Sequence, residues 1–288
     1  MRAPIELTAR AKKVGGGLVE IVSYFGTPFG YSRLTIWIHG FNNTEYAMRD
    51  LWQKTHVKVR GEPELNLKGT VWLFWPGEAF QNRLVSAPLY FMEVRNAVAA
   101  GNLLADYLIS IAPRNRGLRV NLVAHSLGSR VALQTALRLK ELEGPIVDSL
   151  ILFAAAVPDG LCLNDKPYSP PLARKEIVFH SSNDKVLRFA FPLGQRLARR
   201  LQGELDPSPL RKAVGYTGGP PGRWSEKSDS CGLNHGDYWI DNDCVSTLRG
   251  LYFTPRAERR DRARHSVQRG APLRLCTHRR LGHRFPRD

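Results

Sequence analysis

The stretch Arg119-Val-Asn-Leu-Val-Ala-His-Ser-Leu-Gly-Ser-Arg130 holds a serine where an apolar, strand-like run meets a helical pattern. A sharp strand-to-helix turn strains its central residue and tolerates only small residues two before and two after it. Ala124 and Gly128 flank Ser126 at those offsets. Small-x-Ser-x-Gly arises from composition alone about 0.2 times in a chain of this length, so the weight comes from the strand before and the helix after. The chemistry that suits such a turn is attack by the Ser126 hydroxyl on an acyl carbon. The backbone N–H of Leu127, at the start of the helix, would stabilise the oxyanion. A second donor should come from the turn after an earlier strand. Ile36-Trp-Ile-His-Gly-Phe-Asn-Asn43 supplies the N–H of Phe41, with Gly40 allowing close approach. By itself, His39-Gly40 at a strand end reads as an ordinary turn.

A serine hydroxyl needs a histidine to take its proton and an acid to orient that histidine. Of eight histidines, His265, His278 and His283 lie in an Arg-rich tail, His125 belongs to the turn itself and should point away from Ser126, and His39 belongs to the oxyanion turn. His56 falls on the polar side of a helix, and His180 ends a strand in a supporting position. His235, in Gly232-Leu-Asn-His-Gly-Asp-Tyr-Trp239, occupies a loop before the last helix, where the base belongs. The acid should follow a strand between Ser126 and His235. Asp184 is the first choice, because the order Ser, acid, His then puts one residue after each successive strand region. Asp159, beyond the preceding strand, is its rival.

These residues need a frame of strands and helices. Strands are expected at Gly17–Tyr24, Leu34–His39, Thr70–Trp75, Arg119–Ala124, Leu150–Ala155 and Glu176–His180, most of them apolar on both faces. Helices are expected at Thr44–His56, Tyr90–Ile111, Leu127–Leu142 and Tyr238–Tyr252. In the third, Leu127, Val131, Thr135, Leu139 and Leu142 form a buried stripe opposite Arg130, Gln134, Arg138 and Glu141. Strands separated by helices cannot close hairpins, so the fold class is α/β, with a doubly wound, mostly parallel sheet and helices on both faces. Ligand sites in such sheets lie beyond the carboxyl ends of the strands. Residues 1–254 read as one domain. Within it, 186–230 is irregular, carries Leu193, Leu197 and Leu201 at helical spacing beside Arg196, Arg199 and Arg200, and suits an inserted cap.

The chain has 42 Lys plus Arg, 26 Asp plus Glu and 43% apolar residues, a globular composition that excludes disorder throughout. Half of its net charge of +16 sits in the last 34 residues, where 11 Arg face 3 acids. This tail, 255–288, lacks periodicity and reads as a solvated extension. Weak contact with nucleic acid or anionic lipid is the functional reading of its charge. No stretch approaches the roughly 18 apolar residues of a membrane span, and residues 1–17 show no signal-peptide run, so a cytoplasmic protein is expected. The four cysteines lack metal-ligand spacing. Reduced thiols are expected, with a Cys231–Cys244 bridge across the His235 loop as the less favoured alternative.

The motifs His39-Gly40-Phe41-Asn42, Trp75-Pro76-Gly77, Arg95-Asn96-Ala97, Ala124-His-Ser-Leu-Gly128, Asn183-Asp184 and His235-Gly-Asp-Tyr-Trp239 resemble a bacterial α/β-hydrolase family of largely uncharacterised function. The likeness covers roughly Thr35 to Tyr252. It implies the α/β-hydrolase fold and a triad of Ser126, Asp184 and His235. Ala124 stands where the commoner turn has Gly, and the Arg-rich tail has no counterpart.

The expected activity is that of a serine hydrolase without cofactor or metal, cleaving a small-molecule carboxylic ester through an acyl-enzyme. Two other classes fit the same residues. One is a non-catalytic protein of this fold that binds nucleic acid or an anionic membrane through its tail. The other is an acyltransferase using the same triad, which differs from a hydrolase only in pocket shape and water access. Trp75, Phe80, Phe189 and Phe191 are candidates to line an apolar pocket, although core packing would also explain them.

Overall fold

In the computed structural model of the chain, residues 4–11, 18–61, 67–77, 83–202, 211–230 and 232–252 are described. The tail, Cys231 and Phe80 lie outside these residues. The strands are β1 (Ile5–Ala11), β2 (Leu18–Phe25), β3 (Arg33–Ile38), β4 (Thr70–Phe74), β5 (Arg119–His125), β6 (Ile146–Phe153), β7 (Lys175–His180) and β8 (Glu226–Asp229). The helices are α1 (Glu45–Arg60), α2 (Arg83–Ile111), α3 (Gly128–Glu141), α4 (Phe191–Gln202), α5 (Val214–Thr217) and α6 (Asn242–Gly250). The strands form one sheet in the order β2-β1-β4-β3-β5-β6-β7-β8, in which the β1–β2 pair is antiparallel and the other pairs are parallel.

The order of strands explains the two helical layers. From β3 the chain steps outward to β4 through α1, then returns across β3 to β5 through α2. With right-handed crossovers these opposite steps put α1 and α2 on opposite faces. The step from β5 to β6 repeats the second direction, so α3 joins α2, and the two helices pack together, while α6 packs on α1. The reversal falls between β3 and β5, whose carboxyl ends therefore flank a crevice.

The central strands are buried on both faces, as expected of covered parallel strands. Beneath α1, Trp37 of β3, Trp72 of β4, Trp52 of α1 and Trp239 form an aromatic cluster. Trp52 meets Trp37 and Trp239 edge to face at centroid separations of 6.3 and 5.6 Å. Pairs of this kind contribute roughly 0.5–1.5 kcal/mol each beyond the area they bury.

Several expectations shift. The strand β1 was not anticipated, although Ile5, Leu7 and Ala9 alternate into the core. Nor was β8, whose four residues Glu-Lys-Ser-Asp pair with β7 at the sheet edge and carry no apolar signal. This strand lies inside the stretch read as an insertion. Strand β6 starts four residues earlier than expected, because Asp148 is held by Arg33, Arg119 and Arg174 rather than marking a loop. Helix α2 starts seven residues earlier, with Pro88 inside it. Helix α6 starts four residues later, capped by Asp241, whose carboxylate accepts the N–H groups of Asp243 and Cys244. On α3, Arg130 is buried although its position suggested the polar face, and Leu142 is exposed because it falls just past the helix end. Cys162 and Cys244 are buried free thiols, while Cys231, the other half of the weighed bridge, lies outside the described residues. Among the described residues no helix is long and apolar enough to cross a membrane.

Candidate functional site

Strand β5 delivers Ser126 to the crevice in a left-handed conformation, φ 52°. That conformation costs a residue with a side chain roughly 1–3 kcal/mol, so the surroundings must hold it. They do so through the backbone: the Ser126 N–H donates to the Phe153 carbonyl at 2.9 Å, and the Ser126 carbonyl accepts the N–H groups of Ser129 and Ala156, both at 3.1 Å. The turn is thus fastened to the end of β6 and to the first turn of α3. A Cβ on Gly128 would lie 2.2 Å from the His39 carbonyl oxygen, and one on Gly40 would lie 2.7 Å from Ser126 Cβ. Two glycines therefore let the Ser126 turn and the turn after β3 meet at backbone distance.

The turn after β3 is braced by the end of β4. The Trp75 indole N–H donates to the His39 carbonyl at 2.8 Å, and the Trp75 backbone N–H donates to His39 Nε2 at 3.2 Å. Nε2 is therefore the unprotonated nitrogen, and Nδ1–H donates to the Gly40 carbonyl at 2.8 Å. Both ring nitrogens are used by a neutral imidazole, and burial lowers the His39 pKa to about 4. The Asn42 N–H, at φ 59°, donates to the Gly77 carbonyl at 2.6 Å. This bracing fixes the residues on either side of Phe41 and also ties the Trp75-Pro76-Gly77 motif to the crevice.

His235 arrives from the loop between β8 and α6. Asp237 shapes the loop by accepting the Asn234 backbone and side-chain N–H groups at 2.9 and 3.1 Å. Tyr238 and Trp239, both fully buried, pin its far end to the core. His235 Nε2 lies 2.9 Å from Ser126 Oγ, and its Nδ1 lies 2.7 Å from Asp184 Oδ2. A carboxylate oxygen accepts only, so Nδ1 carries the proton, Nε2 is the free base, and the Ser126 O–H donates to it. Asp184, in the turn after β7, is fully buried, and its other oxygen, Oδ1, accepts the Leu187 N–H at 2.9 Å.

The structure thus brings Ser126, His235 and Asp184 into one hydrogen-bonded chain, with the Leu127 and Phe41 turns beside it. Asp159 is not in that chain. It opens a short 3-10 turn after β6, its N–H donates to the Lys212 carbonyl, and burial raises its pKa against the pull of Arg211 and Lys212. His180 is buried at the end of β7, 3.9 Å from Asp229, away from the reactive chain. His56 is half-buried, with its ring edge to face with those of Trp37 and Trp72. Trp75 and Phe191 are buried, whereas Phe189 is exposed. Among the described residues no group of three His, Cys, Asp or Glu side chains could hold a metal ion.

Sequence reasoning missed the Trp75 bracing and a second contact at this site. The ring of His125 turns from Ser126 to the His235 loop, where its Nε2–H donates to the His235 carbonyl at 2.5 Å. Burial and the nearby His235 ring lower its pKa to about 3. A histidine immediately before the serine of the turn was the only sequence signal, and spacing says nothing about which loop it will reach.

The arrangement can move a proton from a hydroxyl to an imidazole and hold the resulting charge against a buried carboxylate. A family model described as "Alpha/beta hydrolase of unknown function (DUF900)" matches residues 31–250. Among solved structures, an uncharacterized protein from Bacillus cereus ATCC 10987 is similar at 16% identity and TM-score 0.42, over 80% of this chain and 61% of that one. The Pyrobaculum calidifontis esterase is similar at 13% identity and TM-score 0.41, over 76% of this chain and 75% of that one. The type II thioesterase YbtT of the Yersiniabactin pathway is similar at 14% identity and TM-score 0.39, over 83% and 94%. No curated protein matches the chain.

Proposed function

We infer that this chain, which belongs to the alpha/beta hydrolase family matched over residues 31–250, is a serine hydrolase that cleaves carboxylic esters. The observation that carries the reading is the hydrogen-bonded chain Ser126–His235–Asp184 at 2.9 and 2.7 Å. His235 Nε2 takes the Ser126 proton as Oγ bonds to the acyl carbon. Asp184, bonded to Nδ1–H, stabilises the imidazolium. The backbone N–H groups of Phe41 and Leu127 hold the oxyanion. The tetrahedral intermediate collapses as His235 returns the proton to the departing alkoxide, which leaves as the alcohol. Water gives a proton to His235 as its oxygen attacks the acyl carbon, and the second tetrahedral intermediate collapses as His235 returns that proton to Ser126 Oγ, releasing the acid.

The strained φ of Ser126 and the glycine contacts around it support the same reading, because they hold the hydroxyl in place at a cost the fold would not otherwise bear. The test needs no substrate. A fluorophosphonate probe should give a single adduct by intact mass, mapping to Ser126, with labelling much slower in His235→Ala. No adduct, under conditions where a control hydrolase reacts, removes the reading.

A further inference from the structure

The residues after Asp184 turn outward as well as inward. A π-helical turn at Val186–Ala190 runs directly into α4. Leu187, Phe191, Gly194 and Gln195 face the protein, at the spacing of one helical face. On the opposite side Val186, Phe189 and Leu193, spaced three and four apart, are 44%, 58% and 53% exposed. Single exposed apolar side chains are ordinary, but three within eight residues of one segment are not.

Among the described residues of this segment the exposed charges have one sign. Lys185, Arg188 and Arg196 are exposed around the stripe, and the Arg188 guanidinium lies 5.0 Å from the Phe189 ring centroid. From Lys185 to Gln202 the sequence has five basic residues and no acid. An outward apolar stripe with Lys185, Arg188 and Arg196 exposed beside it complements a surface that offers hydrocarbon beneath anionic groups. The segment is also joined to the site. The Leu187 N–H donates to Asp184 Oδ1 at 2.9 Å, and the Arg188 N–H donates to the Asp184 carbonyl at 3.0 Å. Whatever seats on the stripe is therefore held a few residues from the acid of the Ser126–His235–Asp184 chain.

We propose that Val186, Phe189 and Leu193, with Lys185, Arg188 and Arg196, seat the protein on an anionic lipid surface, and that its ester is carried by a lipid of that surface. The second half rests on the ester-hydrolase reading. The first half does not.

Flotation of the full chain with phosphatidylcholine vesicles, with and without phosphatidylglycerol, tests the seat. Wild type should float with the anionic vesicles and lose them as salt rises. The variant V186S/F189S/L193S changes only exposed side chains and should partition about ten-fold more weakly or worse. R188Q/R196Q should weaken binding to anionic vesicles with a shallower salt dependence. Fluorophosphonate labelling of Ser126 in solution, equal in all three proteins, shows that the fold and site are intact. With the seat in place, hydrolysis of a vesicle-borne ester should fall in the stripe variant while that of a short soluble ester does not. Wild type that fails to float, or a stripe variant that floats equally well, overturns the proposal. So does self-association that the stripe variant abolishes in the absence of flotation, which would assign the stripe to a second copy of the chain. Stripe-dependent flotation without any Ser126 labelling would leave the seat standing and remove the ester reading alone.

Discussion

His125 and His235 are joined by a 2.5 Å hydrogen bond from a ring nitrogen to a backbone carbonyl, with their rings 4.9 Å apart. The residue before Ser126 therefore fixes the height of the loop that carries the imidazole facing Ser126. His125→Ala deletes that donor and leaves a void, and a displacement of the imidazole should lower kcat by about ten-fold or more. His125→Gln keeps an N–H of similar reach and should recover most of the loss. Ser126 labelling rates and kcat for a soluble ester measure both variants, and equal losses in Ala and Gln would remove the positioning role.

Two buried imidazoles, those of His39 and His125, make the fold acid-sensitive. His39 and His125 have folded pKa values of about 4 and about 3, against an unfolded value of about 6.5. Between those limits the unfolded chain binds more protons at these positions, so stability falls as pH drops below 6.5 and is unaffected above it. At pH 5 the loss is roughly 2 kcal/mol for each ring. Glu93, pushed up to about 7 by burial, titrates in the opposite sense, so the wild-type profile is a sum. The variant difference isolates one contribution. His125→Gln should lose less stability than wild type between pH 7 and 5 in urea unfolding, and parallel profiles would contradict the assignment.

The legibility of this site in the sequence follows from how locally each residue is determined. Ser126 stands in a strand-turn-helix whose glycine and alanine are local requirements, so five residues identify it. His235 and Asp184 were reachable because each ends an excursion from a strand already located. The bracing of the Phe41 turn by Trp75 and the His125 contact were not legible. Both join segments tens of residues apart through a polar atom on a side chain that composition places in the core. The edge strand β8 was hidden for a related reason: an exposed strand of four polar residues buries nothing that a periodicity could report.

Gly40 and Gly128 should tolerate no side chain. Gly40→Ala sets a Cβ 2.7 Å from Ser126 Cβ and 3.0 Å from His125 Nδ1, so the Phe41 turn or the Ser126 turn must move. A shift of about 1 Å there should cost roughly 10²-fold in kcat, with KM changing less. Gly128→Ala meets the His39 carbonyl oxygen at 2.2 Å and should lose stability by about 1–3 kcal/mol as well. Gly250→Ala, at a position with nothing within 4 Å, is the control and should leave kcat unchanged. Activity in Gly40→Ala equal to that of the control would mean that the two turns are not rigidly opposed.

A buried ion pair holds the far side of the sheet. The Arg223 guanidinium donates to both Glu176 oxygens and to the Tyr168 carbonyl, and Glu176 also accepts the Leu172 N–H at 2.9 Å. Removing one charge leaves the other buried and uncompensated. Glu176→Gln should therefore cost about 3–5 kcal/mol, whereas the double change E176L/R223M should recover much of that loss. Thermal or urea midpoints of the two variants decide it. A double variant less stable than Glu176→Gln would show that the pair's hydrogen bonds to the Tyr168 and Leu172 backbone outweigh the cost of desolvating the charges.

The choice between the two candidate acids follows from what each carboxylate touches. Asp184 Oδ2 holds the His235 Nδ1–H at 2.7 Å, which leaves Nε2 as the free base toward Ser126. An amide at residue 184 can present its N–H₂ group to Nδ1, which favours the opposite tautomer and puts the proton on Nε2, where it cannot accept from Ser126. Asp184→Asn should thus lower kcat by about 10³- to 10⁴-fold with a smaller change in KM, comparable in kind to Ser126→Ala. Asp159 faces Arg211 and Lys212 instead, and Asp159→Asn leaves the His235 tautomer untouched, so its kcat should stay within about ten-fold of wild type. The comparison also reads the origin of the loss. Because Asp184 accepts the Leu187 N–H as well, part of the Asp184→Asn defect would be structural if the turn were loosened. Urea midpoints near wild type, together with the loss in kcat, would place the defect in the imidazole, and equal activity losses at the two Asp positions would defeat the assignment of Asp184.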